Sequence, residues 1–148
     1  MTRITLFSGA YNFLSNFAVA KVRWHRIDFP TAEHAYQASK VAELADKEMI
    51  AKLPTPGKAK RAGQKVALIP CWEEFKLPTM LAVVTAKFEQ NPVLMDKLVR
   101  TGFAMLEEGN IFHDNFWGDC RCEQCKDIKG QNHLGKILMQ VRDDHTGR

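Results

Sequence analysis

The sequence predicts an α+β fold: a predominantly helical single domain with a small, mostly antiparallel sheet. Apolar residues recur at spacings of three and four over several long stretches, the period of a helix that buries one face. Strand-like runs are short and sit near the N-terminus and around residue 103. The 148 residues are of single-domain length, and such a chain buries about 68–70% of its unfolded surface, so one core can form without staples.

The elements follow in order. Arg3-Ile4-Thr5-Leu6-Phe7 alternates partially and reads as a short strand. Residues 8–17 mix Tyr11, Phe13 and Phe17 with turn formers and read as an ordered loop packed by its own aromatic rings. Val19–Trp24 and Ile27–Phe29 form a hairpin that turns at His25-Arg26, although arginine is not a favoured tight-turn residue. Thr31 is an N-cap, and Ala35, Ala38, Ala42, Ala45, Met49 and Leu53 predict one long helix over 32–53. Thr55-Pro56 supplies a cap followed by a first-turn proline, opening a basic helix to about Ala67. Further helices are predicted at about Thr79–Glu89 and from Asn91-Pro92 to the Thr101-Gly102 stop. Phe103–Leu106 reads as a strand, 113–131 as loop, and the last helix runs from Asn132 or His133 to about Val141.

Composition narrows the class. Hydrophobic residues at 45% and charged residues at 26% are globular values and exclude a disordered or fibrous chain. No apolar run approaches the roughly 18–20 residues of a membrane helix, and the opening residues lack an export-signal layout, so a cytoplasmic protein with no membrane partner is expected. The net charge of +4 permits an anionic partner without requiring one. Cys120, Cys122 and Cys125 crowd into six positions with Cys71 apart. In a reducing compartment they read as free thiols or as part of a tetrahedral zinc site, with Cys71, His113 or His133 as the fourth ligand.

Glu33, Tyr36, Gln37 and Lys40 are spaced to share one face at a helix start. An acid, a phenol, an amide and an ammonium together suit a lined pocket, while the helix dipole alone also accounts for Glu33. His34 reads as a structural hydrogen-bonder. A second group, Glu107-Glu108-Gly109-Asn110 and His113-Asp114-Asn115-Phe116-Trp117-Gly118, offers carboxylates and a large aromatic in a turn-rich stretch; the plainer reading makes Trp117 core and Asp114 a turn cap. Gly130-Gln131-Asn132-His133-Leu134-Gly135 would present free backbone N–H groups to an anion. Lys58, Lys60, Arg61 and Lys65 form a solvated helix face or contact phosphates.

In order and spacing, Phe13-Leu-Ser-Asn-Phe17, Pro30-Thr-x-Glu-His-x-Tyr-Gln-x-x-Lys40, Lys87-Phe-x-Gln-Asn91, Leu106-x-Glu108, Asp114-x-x-Trp-Gly118 and Gly130-x-Asn-x-Leu-Gly-x-x-Leu-Met139 resemble the NADAR (NAD and ADP-ribose) superfamily, also called YbiA-like, over roughly residues 5–142. The resemblance implies a largely helical α+β fold and N-glycosidase activity. Two substrate classes go with it: ADP-ribose on guanine in DNA or a nucleoside, and a ribosylated pyrimidine intermediate of riboflavin synthesis. The partner would thus be ADP-ribosylated nucleic acid or a ribosylated small molecule, with no obligate protein partner and no required cofactor; the cysteine loop, as free thiols or a structural zinc site, lies outside what the resemblance implies. A non-catalytic ADP-ribose-binding module is the competing class.

Cleaving a ribose–nitrogen bond passes through an oxocarbenium-like sugar that needs a carboxylate, a proton for the leaving base and a positioned water. Glu33 is the expected catalytic carboxylate. Asp114 assists acid–base chemistry or, like Glu108, holds ribose hydroxyls. Lys87 holds a phosphate or attacks the anomeric carbon as an amine. Trp72 and Trp117 stack on a base, and Ser15, Asn16 and Asn132 orient sugar or phosphates. Tyr36, Gln37, Gly118 and Gly135 complete the substrate-binding set. Two departures from the family pattern stand out: the loop after Gly118 carries three cysteines where a riboflavin-linked member has a glycine-rich loop without any, and Arg26 stands where a hairpin glycine is common.

Overall fold

The computed structural model describes residues 2–148. About half of them are helical, and the chain resolves into two compact units. One is continuous, Asn16–Pro92; the other combines Val93–Arg148 with the N-terminal residues through Ser15.

The continuous unit starts with the antiparallel pair β2 (Val19–Trp24) and β3 (Ile27–Thr31), which follows β1 (Arg3–Ile4) in chain order. Side chains alternate along β2, so Ala20 and Val22 are buried while Lys21 and Arg23 are exposed. His25 and Arg26 both take positive φ, 49° and 64°, as a two-residue hairpin turn with the strand twist demands. The free edge of β2 is covered by side chains from the far end of helix α4 (Trp72–Gln90). Gln90 accepts from Arg23 N at 2.7 Å and donates to Arg23 O at 2.9 Å, and Asn91 donates to Lys21 O at 3.0 Å. These contacts occupy edge groups that would otherwise invite another strand.

Thr31 caps α1 (Ala32–Ala38) by accepting from His34 N, and all seven helical residues are buried. The long helix predicted over 32–53 is two helices, α1 and α2 (Leu44–Ala51). Polar groups end α1 early. Ser39 Oγ donates to Ala35 O, and Lys47 Nζ donates to Ala38 O and Val41 O. Lys40 O accepts from Ile69 N instead of from a helical neighbour. Helical periodicity across the break survives because both helices face the same cluster of Val22, Phe29, Ala32, Ala35, Ala38, Val41, Ile50, Ala59 and Val83. Helix α3 (Pro56–Gly63) has the predicted Thr55 cap and first-turn proline but stops at Gly63. Helix α4 begins seven residues before the predicted Thr79 and carries Pro78 inside it. Proline forfeits one backbone bond there, while burial of Trp72, Met80, Val83, Val84 and Phe88 along α4 offsets that loss.

In the other unit, a 3-10 helix at Gly9–Leu14 lies where a loop was expected, with Phe13 and Leu14 buried. Helix α5 (Pro92–Arg100) ends at Gly102, which adopts φ 64°. β1 pairs in parallel with β4 (Met105–Leu106), and β5 (Gly109–Asn110) in parallel with β6 (Asp119–Cys120). The sheet structure is therefore small, as predicted; its longest ladder is the antiparallel hairpin and its two short pairs are parallel. Helix α6 (His133–Thr146) packs on β4, which carries the buried Leu106, and buries its own Leu134, Leu138 and Val141. Buried Arg142 donates to Thr101 Oγ1 and Ala104 O, tying α6 to the end of α5. Among the described residues no helix is long and apolar enough to cross a membrane.

Candidate functional site

The start of α1 collects polar side chains in a place where an apolar core would be expected. Glu33 is only 7% exposed, yet its Oε1 accepts from Gln37 Nε2 at 2.9 Å. The i, i+4 spacing of a helix sets that pair. Glu33 N donates to Asn16 O at 3.0 Å, bringing Asn16 against the same turn. Asn16 Nδ2 meets Met80 Sδ at 3.3 Å, a weak acceptor. Asn16 Oδ1 and Gln37 Oε1 are buried and accept no hydrogen bond. Two orphaned amide oxygens beside one buried carboxylate is unusual, because buried polar groups are nearly always paired. Gly63 leaves room for the Gln37 amide, since a Cβ there would collide with its Oε1.

Aromatic and cationic groups surround this turn. The rings of Tyr36 and Trp72 lie 5.5 Å apart at 54°. Lys40 Nζ stands 5.7 Å from the Tyr36 ring centre. Burial lowers the Lys40 pKa, Glu33 and Glu73 oppose that, and Lys60 and Lys76 add to it. Lys60, Lys76 and Glu33 therefore each lie within electrostatic reach of Lys40. Lys60 came from the basic stretch noted in the sequence. Lys76 was missed, because Pro78 hid the first turns of α4.

Lys87 occupies the buried face of α4, two turns beyond Met80, and is 0% exposed. Burial pushes its ammonium down to about 7, because a low-dielectric surrounding disfavours the charge. His34 is the structural histidine the sequence suggested. Its Nε2 donates to Leu53 O at 2.9 Å and its Nδ1 accepts from the Thr31 hydroxyl at 2.7 Å. Burial holds its pKa below the usual value.

The remaining sequence-derived candidates fall in the other unit. Ser15 follows the 3-10 helix. Asp114 Oδ1 accepts from Phe116 N at 3.1 Å and Trp117 N at 2.9 Å, the turn-capping role weighed for it. Trp117 is half-buried in an aromatic group, with Phe116 at 4.8 Å edge-on and His133 at 6.4 Å. Asn132, at φ 52°, accepts from Glu108 N at 3.0 Å and donates to Leu106 O at 2.9 Å. Gly135 and Gly118 permit close backbone approach, since a Cβ would strike Leu106 O and Glu108 O respectively.

The free N–H groups expected at the start of α6 are not free. Gln131 N, Asn132 N, His133 N and Leu134 N donate to the carbonyls of Asn115, Gly118, Phe116 and Trp117. An anion site there is overturned by those bonds: the 115–118 segment already caps the helix.

The cysteines gather with His113. The ligand atoms of His113, Cys120, Cys122 and Cys125 lie within 4.8 Å of one another. Burial alone would raise the Cys120 thiol. Hydrogen bonds from Cys122, the His113 backbone and Cys125 outweigh it and bring Cys120 to about 7. Burial, with Cys120 and Cys122 as neighbours, pushes Cys125 up to about 11.

Comparison with known proteins places these features in context. A family model described as the NADAR domain matches residues 4–145. The N-glycosidase YbiA of Shigella flexneri serotype 5b is 34% identical over 138 residues, covering 92% of this chain and 82% of that protein. The riboflavin biosynthesis protein VVA0006 of Vibrio vulnificus is 31% identical over 136 residues, covering 90% of this chain and 35% of that protein. The NMR structure of the Escherichia coli protein YbiA aligns with a TM-score of 0.84 at 33% identity, covering 98% of this chain and 85% of that one.

Proposed function

The chain belongs to the NADAR domain family, and from that membership we propose that it is an N-glycosidase that hydrolyses a ribose–nitrogen bond, with ADP-ribose on guanine in DNA as its substrate. The observation that carries this reading is the buried Glu33 carboxylate with two bonded neighbours, Asn16 and Gln37, whose own side-chain amide oxygens are buried and unpaired. Acceptors without donors suit a ligand rich in hydroxyl groups, and a carboxylate among them suits a sugar that turns cationic during the reaction.

In this scheme Gln37 Nε2 fixes the Glu33 carboxylate. The leaving base takes the electron pair of the breaking C–N bond and a proton from solvent, to which Glu33 later returns the proton it gains from the attacking water. Water adds to the anomeric carbon and gives its proton to Glu33. Asn16 Oδ1 and Gln37 Oε1 accept from ribose hydroxyls. Tyr36 and Trp72 offer aromatic surface to a base, and Lys40, Lys60 and Lys76 balance a diphosphate. Full burial and a pKa near 7 suit Lys87 to work as an amine better than as a phosphate anchor. As a nucleophile it would form a C–N bond at the anomeric carbon while the base leaves, open to an imine, and be released by water. Borohydride trapping of a sugar on Lys87 tests that branch. Asp114 and Glu108 remain proposals for the acid–base step and for ribose hydroxyls, Trp117 for base stacking, and Ser15, Asn132, Gly118 and Gly135 for sugar or phosphate positioning.

A second reading is supported by relatives named as riboflavin biosynthesis proteins: a ribosylated pyrimidine from that pathway as substrate. The test incubates single-stranded DNA bearing ADP-ribosyl-guanine, and separately a ribosyl-pyrimidine phosphate, with wild type, Glu33→Ala and Glu33→Gln. Released ADP-ribose or ribose phosphate is followed by mass spectrometry. ADP-ribose release by wild type, slowed about 10²–10⁴-fold in Glu33→Gln, is the expected result. Release from the pyrimidine alone moves the substrate to the second reading. Folded variants that keep the wild-type rate remove Glu33 from the chemistry.

A further inference from the structure

We propose that His113, Cys120, Cys122 and Cys125 form a closed, structural Zn²⁺ site that holds together the loop between β5 and α6. The cluster lies wholly within one compact unit. His113 Nδ1 is 3.4 Å from Cys125 Sγ, 3.3 Å from Cys122 Sγ and 4.0 Å from Cys120 Sγ. A tetrahedral zinc with ordinary bond lengths separates a nitrogen and a sulfur ligand by about 3.6 Å and two sulfurs by about 3.8 Å. The observed distances bracket the nitrogen–sulfur value. Of the three candidates for a fourth ligand, His113 is the one in the cluster: His133 pairs with Gln131 Oε1 at 2.9 Å, and Cys71 is in the other unit.

The surroundings fit a bound cation better than four idle side chains. His113 takes φ 64°, a conformation uncommon for a non-glycine residue, and in that conformation its backbone N–H donates to Cys120 Sγ at 3.3 Å. Such a donor steadies a metal-bound thiolate. Asn115 Oδ1 accepts from Cys120 N at 2.9 Å, fixing the next turn. Cys120 and Cys125 are buried, so the site is sheltered from water on two sides. Little else organises this stretch, because β5 and β6 are two residues each and the 3-10 turn at Glu123–Cys125 is three. With four protein ligands no position is open for substrate, so the site is structural, not catalytic. The chemistry of three thiolates and one imidazole selects zinc over magnesium or calcium, which prefer oxygen ligands.

The zinc would act on the neighbouring loop. His113 precedes Asp114, whose carboxylate orders Phe116 and Trp117, and the carbonyls of 115–118 cap α6. Metal at His113 thus fixes the end of a segment on which the start of α6 depends.

The test uses the full chain, purified under reducing conditions without chelator, with metal content measured by mass spectrometry and the visible spectrum recorded after cobalt replacement. One zinc per chain and the d–d absorption of tetrahedral cobalt are expected for wild type and for Cys71→Ser. Cys122→Ser, which alters the half-buried ligand, should lose both, as should His113→Ala. The wild-type measurements stand even where a variant fails to fold. A wild type without zinc and without the cobalt spectrum overturns the site, as does an intact mass showing a disulfide among these cysteines or undiminished zinc in His113→Ala.

Discussion

Replacing Lys87 by Met should stabilise the protein most at low pH, and the size of the effect follows from where the amine sits. Lys87 is 0% exposed, and burial takes its pKa from 10.5 to about 7. Each pH unit between those values is worth about 1.4 kcal/mol, so the buried ammonium costs roughly 5 kcal/mol when fully charged. The sign is set by proton binding. Between about pH 7 and 10.5 the unfolded chain carries a proton at Lys87 that the folded chain lacks, so wild-type stability rises with pH across that window. Below pH 7 both states are protonated and the full penalty applies. Methionine has similar length, no charge and no titration. Urea unfolding of both proteins at pH 6, 7, 8, 9 and 10 should show Lys87→Met ahead by several kcal/mol at pH 6, with the lead shrinking by about 1.4 kcal/mol per pH unit above pH 7. The same variant should lose turnover. A stability difference that does not change with pH would refute the reasoning, because it would mean that Lys87 titrates alike in both states.

Gly63→Ala sets two effects against each other. Alanine favours a helix over glycine by about 1 kcal/mol, but its Cβ meets Gln37 Oε1; a net loss of about 1–3 kcal/mol in denaturant unfolding, with slower turnover as Gln37 releases Glu33, is expected. Asn132→Ala removes the partners of Glu108 N and Leu106 O and places alanine at positive φ; a destabilisation of about 3 kcal/mol is expected, and a midpoint unchanged in urea would show that solvent replaces the clamp.

The glutamine and asparagine at the end of α4 show why family-like residues need not belong to a site. Gln90 and Asn91 stood among the recurring motif residues, and the structure uses them to seal the edge of β2. Asn132 and Gly135, proposed above to position sugar or phosphate, also hold β4 against α6. Residues required for packing and residues required for chemistry look alike in a linear motif, since both tolerate little change. Distance and partner separate them. Glu33 stands apart because its neighbours include acceptors that nothing in the protein satisfies.

The sequence by itself determined the local features. The Thr31 and Thr55 caps, the hairpin at His25-Arg26 and the Gly102 stop all rest on residues that bond to, or shape, the backbone within a few positions. The α1 face with Glu33, Tyr36 and Gln37 was legible for the same reason, because 3.6-residue periodicity is local. Only the tertiary structure decided the break between α1 and α2, the helical turns before Pro78, the use of the α6 N–H groups and the choice of His113 beside the cysteines. Each depends on a partner distant in the chain or on burial that outweighs propensity. Lys47 reaching back to Ala38, the apolar face of α4 offsetting a proline and a histidine turned toward three sulfurs are contacts that spacing cannot encode, because their energy exists only once the chain has folded.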